Sequence, residues 1–182
     1  LTHNMKTKNV CVIGLGYVGL PMAIALANVK KNKTFMYKVF GYDNDKKKLN
    51  HLNKSIKLNK LPFYSPDEKL KKKFKHSSKN NKINIVKNIS QINESDIIVL
   101  SVGFDFVGNK NSYKNIISLI KKISKFIKKN TLLLIETTLP PGTFEKILIP
   151  QIKITLKKRR MKLKDIYLSY SYERIMPGKK IL

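Results

Sequence analysis

Tryptophan is absent from the 182-residue chain, and cysteine occurs once, at Cys11. One cysteine cannot build a disulfide framework or a cysteine-rich zinc site, and it fits a reducing compartment. His3, His51 and His76 stand far apart among polar neighbours, so no metal-ligand spacing exists and no metal is expected. Acidic residues are scarce: 11 Asp plus Glu against 38 Lys plus Arg leave a formal net charge of +27. Arginine is the rare cation, present only as Arg159, Arg160 and Arg174. Groove readers lean on the arginine fork for guanine, and single-strand binders interleave aromatics with their cations. The charge runs 46–48, 69–75 and 157–160 hold one aromatic between them, Phe74. A bias to lysine, asparagine and isoleucine, as in residues 79–85, is what an A+T-rich genome writes into any protein. Solvated lysine faces are therefore expected, with no specific nucleic-acid partner and only a salt-sensitive attraction to polyanions. Apolar residues still make up 42% of the chain, which excludes a disordered polyelectrolyte, and the length fits one domain with a real core.

No charge interrupts residues 10–29, which follow Lys6 and Lys8 and end near Ala25-Leu26-Ala27. A signal peptide or a short membrane span would read this way. So would a buried strand, a tight glycine turn and a core helix in succession. Gly14, Gly16 and Gly19 punctuate the run at the spacing G-x-G-x-x-G, and Pro21 follows. That motif has force only between a strand and a helix, with an acid at the end of a second strand. Residues 9–13 read as the strand, and 18–30 as the helix, with Pro21 tolerable in its first turn. Residues 37–42 read as the second strand, ending at Asp43, 24 residues beyond Gly19. This context predicts no membrane span. Gly14 permits the turn, Gly16 admits a pyrophosphate to the backbone, and Gly19 lets the helix pack on the strand. Helix-start amides then hold the pyrophosphate. Asp43 can accept from both adenosine ribose hydroxyls and repel a 2′-phosphate, which favours NAD over NADP. It can equally cap the helix expected over 45–52; the glycine context favours the ribose.

Downstream, apolar runs alternate with lysine-rich amphipathic segments. Strands are expected at 83–86, 96–102, 131–135 and 165–171, and helices at 67–75, 113–128 and 143–156. Six strands separated by crossovers make a doubly wound parallel α/β sheet of the Rossmann type, which binds ligands beyond the strands' carboxyl ends. Three segments lie at those ends: Ser101-Val102-Gly103-Phe104-Asp105, Glu136-Thr137-Thr138-Leu139-Pro140-Pro141-Gly142-Thr143, and Ser171 to Lys179.

Gly14-Leu-Gly-Tyr-Val-Gly-Leu-Pro21, the loop 136–143 and Tyr172-Glu-Arg-Ile-Met-Pro-Gly178 together resemble the UDP-glucose/GDP-mannose dehydrogenase family. The third segment is most similar to the branch of UDP-N-acetylmannosamine and UDP-N-acetylglucosamine 6-dehydrogenases. The resemblance spans roughly residues 8–179 and implies NAD-dependent oxidation of a nucleotide-sugar C6 alcohol to a carboxylate, in the cytoplasm, for polysaccharide biosynthesis. In that family a cysteine thiol captures the aldehyde, and water later hydrolyses a thioester. By position, the resemblance puts Tyr17 and Val18 beside the pyrophosphate, with Gly14, Gly16 and Gly19 in the turn. Asp43 and Lys48 fall at the adenosine ribose. Thr138 falls near the nicotinamide and the reacting carbon, and Glu173 where a glutamate positions water and substrate. Arg174 and Ile175 fall against the nucleotide sugar.

The sequence departs from the family pattern in places. Val102-Gly103-Phe104-Asp105 stands where the family usually has V-P-T-P, so a threonine contact to NAD is missing, and Tyr172 replaces a proline before Glu173. Family chains are more than twice as long. The nucleophilic cysteine, the linking helix and the UDP-binding C-terminal domain are expected beyond Leu182, with residues 8–182 as the NAD-binding domain. Residues 1–7 are expected to be a disordered or non-native extension, Met5 being a candidate start. Cys11, inside the first strand, cannot serve as nucleophile, so this stretch is expected to be inactive alone, and the full-length protein a homodimer or larger. Two other readings stay open: the cofactor domain of another NAD-linked dehydrogenase of the β-hydroxyacid type, and a basic polyanion-binding module.

Overall fold

A computed structural model of the chain describes residues 7–104 and 110–173. Six parallel strands form its main sheet: β1 (Lys8–Ile13), β2 (Tyr37–Tyr42), β3 (Ile83–Ile85), β4 (Ile97–Leu100), β5 (Leu132–Ile135) and β6 (Tyr167–Tyr170). In space they run β3-β2-β1-β4-β5-β6. This is the doubly wound order of dinucleotide-binding sheets, in which the direction of winding reverses between β1 and β4. Every strand expected from the sequence is present.

β1 is central and buried on both faces, and its side chains alternate between two cores. Cys11 and Ile13, with Ile98, Leu100, Leu133 and Ile135, pack on helix α4 (Lys110–Phe126) and helix α5 (Ile149–Lys157). Val10 and Val12, with Val39 and Val99, pack on helix α1 (Gly19–Leu26), helix α2 (Lys46–Lys57) and helix α3 (Glu68–Lys79). The uncharged run 10–29 is therefore strand, turn and short helix, and no helix among the described residues is long and apolar enough to cross a membrane.

Burial pushes the Cys11 thiol up to about 12. Only a thiolate attacks disulfide reagents, so Cys11 is expected to be inert to them at neutral pH and to react only on unfolding. Modification in native buffer at the rate of a free thiol would contradict its place in the central strand.

Helices α2 and α3 run on past their expected ends at 52 and 75, and two further elements differ in kind. The helix foreseen over 18–30 ends at Leu26, and Lys30–Lys31 pairs antiparallel with Thr34–Phe35. Asn32 and Lys33 both take positive φ, 49° and 65°, as a two-residue hairpin turn requires. The helix foreseen over 143–156 begins as a π-type turn, Phe144–Leu148, in which Ile149 N donates to Phe144 O. Pro150 has no amide to donate and crowds the preceding turn, so the chain widens there before α5 starts. Past the helix ends, Asn59, Asn81 and Asn130 adopt the left-handed conformation that glycine more often supplies.

Candidate functional site

The three glycines of the first turn do different work. Gly14 has φ +93°, and a Cβ there would stand 2.1 Å from Ser101 O. A Cβ on Gly19 would stand 1.8 Å from Gly14 O, so α1 leans on the turn at a distance only hydrogen allows. A Cβ on Gly16 would meet nothing within 4 Å. The protein itself needs Gly14 and Gly19; at Gly16 the opening is left to something outside the chain. Close approach of a pyrophosphate to the backbone requires such an opening. No acidic residue and no side-chain cap occupies the start of α1, so its first amides face the turn unused by side chains. Tyr17 is exposed beside it and Val18 is the residue at the head of the helix.

Asp43 follows β2 on the same edge. Its Oδ2 accepts from Leu15 N at 2.9 Å and from Lys48 Nζ at 2.8 Å, and its Oδ1 accepts from Asp45 N at 3.0 Å. Burial works against the charge, but the hydrogen bonds from Lys48, Asp45 and Leu15 outweigh it and hold the carboxyl below the usual carboxylate range. The cap of α2 is Asp45, whose Oδ1 accepts from Lys47 N and Lys48 N. The N-cap of α2 is therefore Asp45 and not Asp43, which lines the crevice described next. Lys48 reaches Asp43 from the first turn of α2 and stands beside it.

A crevice of about 230 Å3 opens here, between Gly16 and Asp43 on one side and Ser101 and Gly103 on the other. It lies at the winding reversal beyond the strands' carboxyl ends, where such sheets take ligands. A roomier hollow of about 860 Å3 lies elsewhere, around the α2–α3 loop, and none of the expected site residues lines it.

The loops after β5 and β6 come together beside the crevice. The exposed Thr138 hydroxyl donates to Glu173 O, and Leu139 N donates to the Tyr170 hydroxyl at 3.3 Å. Buried Thr137 accepts from Val102 N at 3.3 Å and stands 3.0 Å from Val102 O, tying this loop to the exit of β4. Neither Thr138 nor Glu173 lines the crevice itself. Phe104 turns away from it: the ring meets Tyr113 edge-on at 5.0 Å and packs on the core, leaving Gly103 exposed at the mouth. Arg174 and Ile175 lie outside the described residues.

Glu136 was not singled out by sequence reasoning. Burial first, and then the charge of Glu173, push its carboxyl above the usual range, and its buried Oε2 has no hydrogen-bond partner among the described residues. Its position as the first residue past a buried strand was the available signal.

Residues 8–182 match the description "UDP-glucose/GDP-mannose dehydrogenase family, NAD binding domain". The chain belongs to that family. As its NAD-binding domain, it is 32% identical over 181 residues to a UDP-N-acetyl-D-mannosamine dehydrogenase of Methanococcus maripaludis, covering 97% of this chain and 36% of that protein. It is 27% identical over 179 residues to Protein CapL of Staphylococcus aureus, covering 96% of this chain and 37% of that one. Among solved structures, the NDP-N-acetyl-D-galactosaminuronic acid dehydrogenase of Methanosarcina mazei superposes with a TM-score of 0.75 at 25% identity, over 93% of this chain and 35% of that one. The domain thus spans little more than a third of the length of these relatives.

Proposed function

We infer that this NAD-binding domain serves a dehydrogenase that oxidises the C6 alcohol of a UDP-sugar, a UDP-N-acetylhexosamine, to the uronate. What supports the reading most is one juxtaposition: a glycine whose missing side chain nothing in the protein requires, beside a carboxylate that its neighbours keep ionised. NAD supplies the hydride acceptor. The chain's own part is to hold it: Gly16 with Tyr17 and Val18 at the pyrophosphate, Asp43 with Lys48 at the adenosine ribose. Thr138 and Glu173 are assigned to the nicotinamide and substrate end, where the two loops meet. Arg174 and Ile175 are assigned to the nucleotide sugar. Cys11 is enclosed in β1 and is not assigned as the reacting thiol; the chain is expected to bind NAD without turning substrate over. The reading extends to a cytoplasmic enzyme of at least two subunits.

Isothermal titration of this chain tests the cofactor assignment. NAD is expected to bind at least about tenfold more tightly than NADP, because a 2′-phosphate would bring like charge against Asp43. Tighter binding of NADP would remove Asp43 from the ribose. Reduction of NAD by the complete gene product with UDP-N-acetylmannosamine, UDP-N-acetylglucosamine or UDP-glucose then names the sugar.

A further inference from the structure

Tyr42 precedes Asp43 and lines the same crevice, together with Val102, Gly103 and Leu119. A dinucleotide laid with its pyrophosphate at Gly16 and its ribose at Asp43 must put its base in what remains of the space. That remainder is the apolar part. Gly103 contributes no side chain to it, and a Cβ added there would meet nothing within 4 Å, so the β4 side offers little bulk. Phe104, the next aromatic, is turned into the core against Tyr113.

Tyr42 is half-buried against the apolar cluster that includes Leu119. Its hydroxyl donates to Asn44 Oδ1 at 3.2 Å, which ties the far end of the ring to the loop that carries Asp43. Burial, with the charge of Asp43 added, raises its phenol above the usual value, so the ring stays neutral at working pH. The volume of about 230 Å3 falls below the roughly 300 Å3 of the smaller ligand pockets, so the crevice alone does not enclose a whole dinucleotide.

The geometry points to Tyr42 as a cofactor-binding residue: its ring forms the wall on which the adenine base packs, opposite the gap left by Gly103. The assignment rests on reading the crevice as the cofactor site, and it names the side chain that grips the base. Base-on-aromatic packing is tolerant of ring orientation and strong enough to measure.

Titration of this chain with ADP-ribose, which carries the adenine and no nicotinamide, separates the possibilities. Tyr42→Leu keeps the apolar contact with the core and removes the ring; it is expected to weaken ADP-ribose binding by about 5- to 150-fold. Tyr42→Phe keeps the ring and loses only the bond to Asn44, so affinity should stay within about fivefold of the parent. The chain has no tryptophan, so its fluorescence comes from tyrosine. ADP-ribose should quench part of that emission, and Tyr42→Phe should abolish the quenched part while still binding. Equal affinity of the parent and Tyr42→Leu would overturn the assignment and leave the cofactor site standing. Failure of the parent to bind either NAD or ADP-ribose would overturn both. Should Tyr42→Leu not fold, the fluorescence of Tyr42→Phe decides: quenching as deep as in the parent refutes a role for Tyr42, and its disappearance supports one.

Discussion

Gly16→Val is expected to abolish measurable NAD binding while the domain melts within about 2 °C of the parent. Both halves come from the same geometry. A Cβ at Gly16 meets nothing within 4 Å, so the valine side chain leaves the backbone into open space, and the backbone there lacks the positive φ that would strain it. Exposed substitutions of this kind usually change stability by no more than about 0.5 kcal/mol, roughly 2 °C for a chain this long. Binding is another matter, because the space the valine fills is the space a diphosphate needs. Losing two charge-assisted bonds from backbone amides, at about 1.5 kcal/mol each or more, lowers affinity at least about 100-fold. Titration and thermal melting on the same sample check the pair. Unchanged affinity would show that the phosphates lie elsewhere.

Gly19→Ala should give the reverse: a large loss of stability. Its added methyl would stand 1.8 Å from Gly14 O, a backbone atom that cannot rotate away. Relief requires α1 to lift off the turn, and with it Leu20, Ala23 and Ile24, all buried against β1 and β2. Over-packing of this severity is expected to cost about 3 kcal/mol or more, a fall in Tm of roughly 6–12 °C where folded protein is recovered at all. Calorimetry of the two alanine variants, at 16 and at 19, makes the comparison with the smallest chemical change. Similar melting of both would refute the division of labour among the glycines. A motif that reads as one unit in the sequence thus separates into residues held by packing and a residue held open for a ligand.

How much of this was legible beforehand depended on whether local sequence alone decides the structure. The sheet was, because each strand is a compact β-prone run bounded by polar or glycine-containing segments, and β4 and β5 carry no charge at all. The glycine turn and Asp43 were legible through spacing. What spacing could not say was which aspartate caps α2. Asp43 and Asp45 are equally good caps in isolation, and the choice falls to Asp45 because Leu15 N and Lys48 claim Asp43. The hairpin at Lys30–Phe35 escaped notice because its strands are two residues each and its turn is Asn-Lys, without the glycine that marks such turns. Pro150 was visible, but the widening it imposes on the preceding turn depends on how the helix meets the core. The approach of Glu136 to Glu173 joins residues from neighbouring strand ends, so only the completed sheet reveals it.

The bonds to Asp43 carry a consequence for how a nucleotide would be received. Leu15 N, Asp45 N and Lys48 Nζ fix the carboxylate's orientation before any guest arrives, so capture asks for little loss of rotational freedom from that side chain. A hand already closed into shape grips quickly and adapts poorly. Selectivity at this corner would then reside in rigidity, and a cofactor altered at the ribose would meet refusal where a looser receptor would give way.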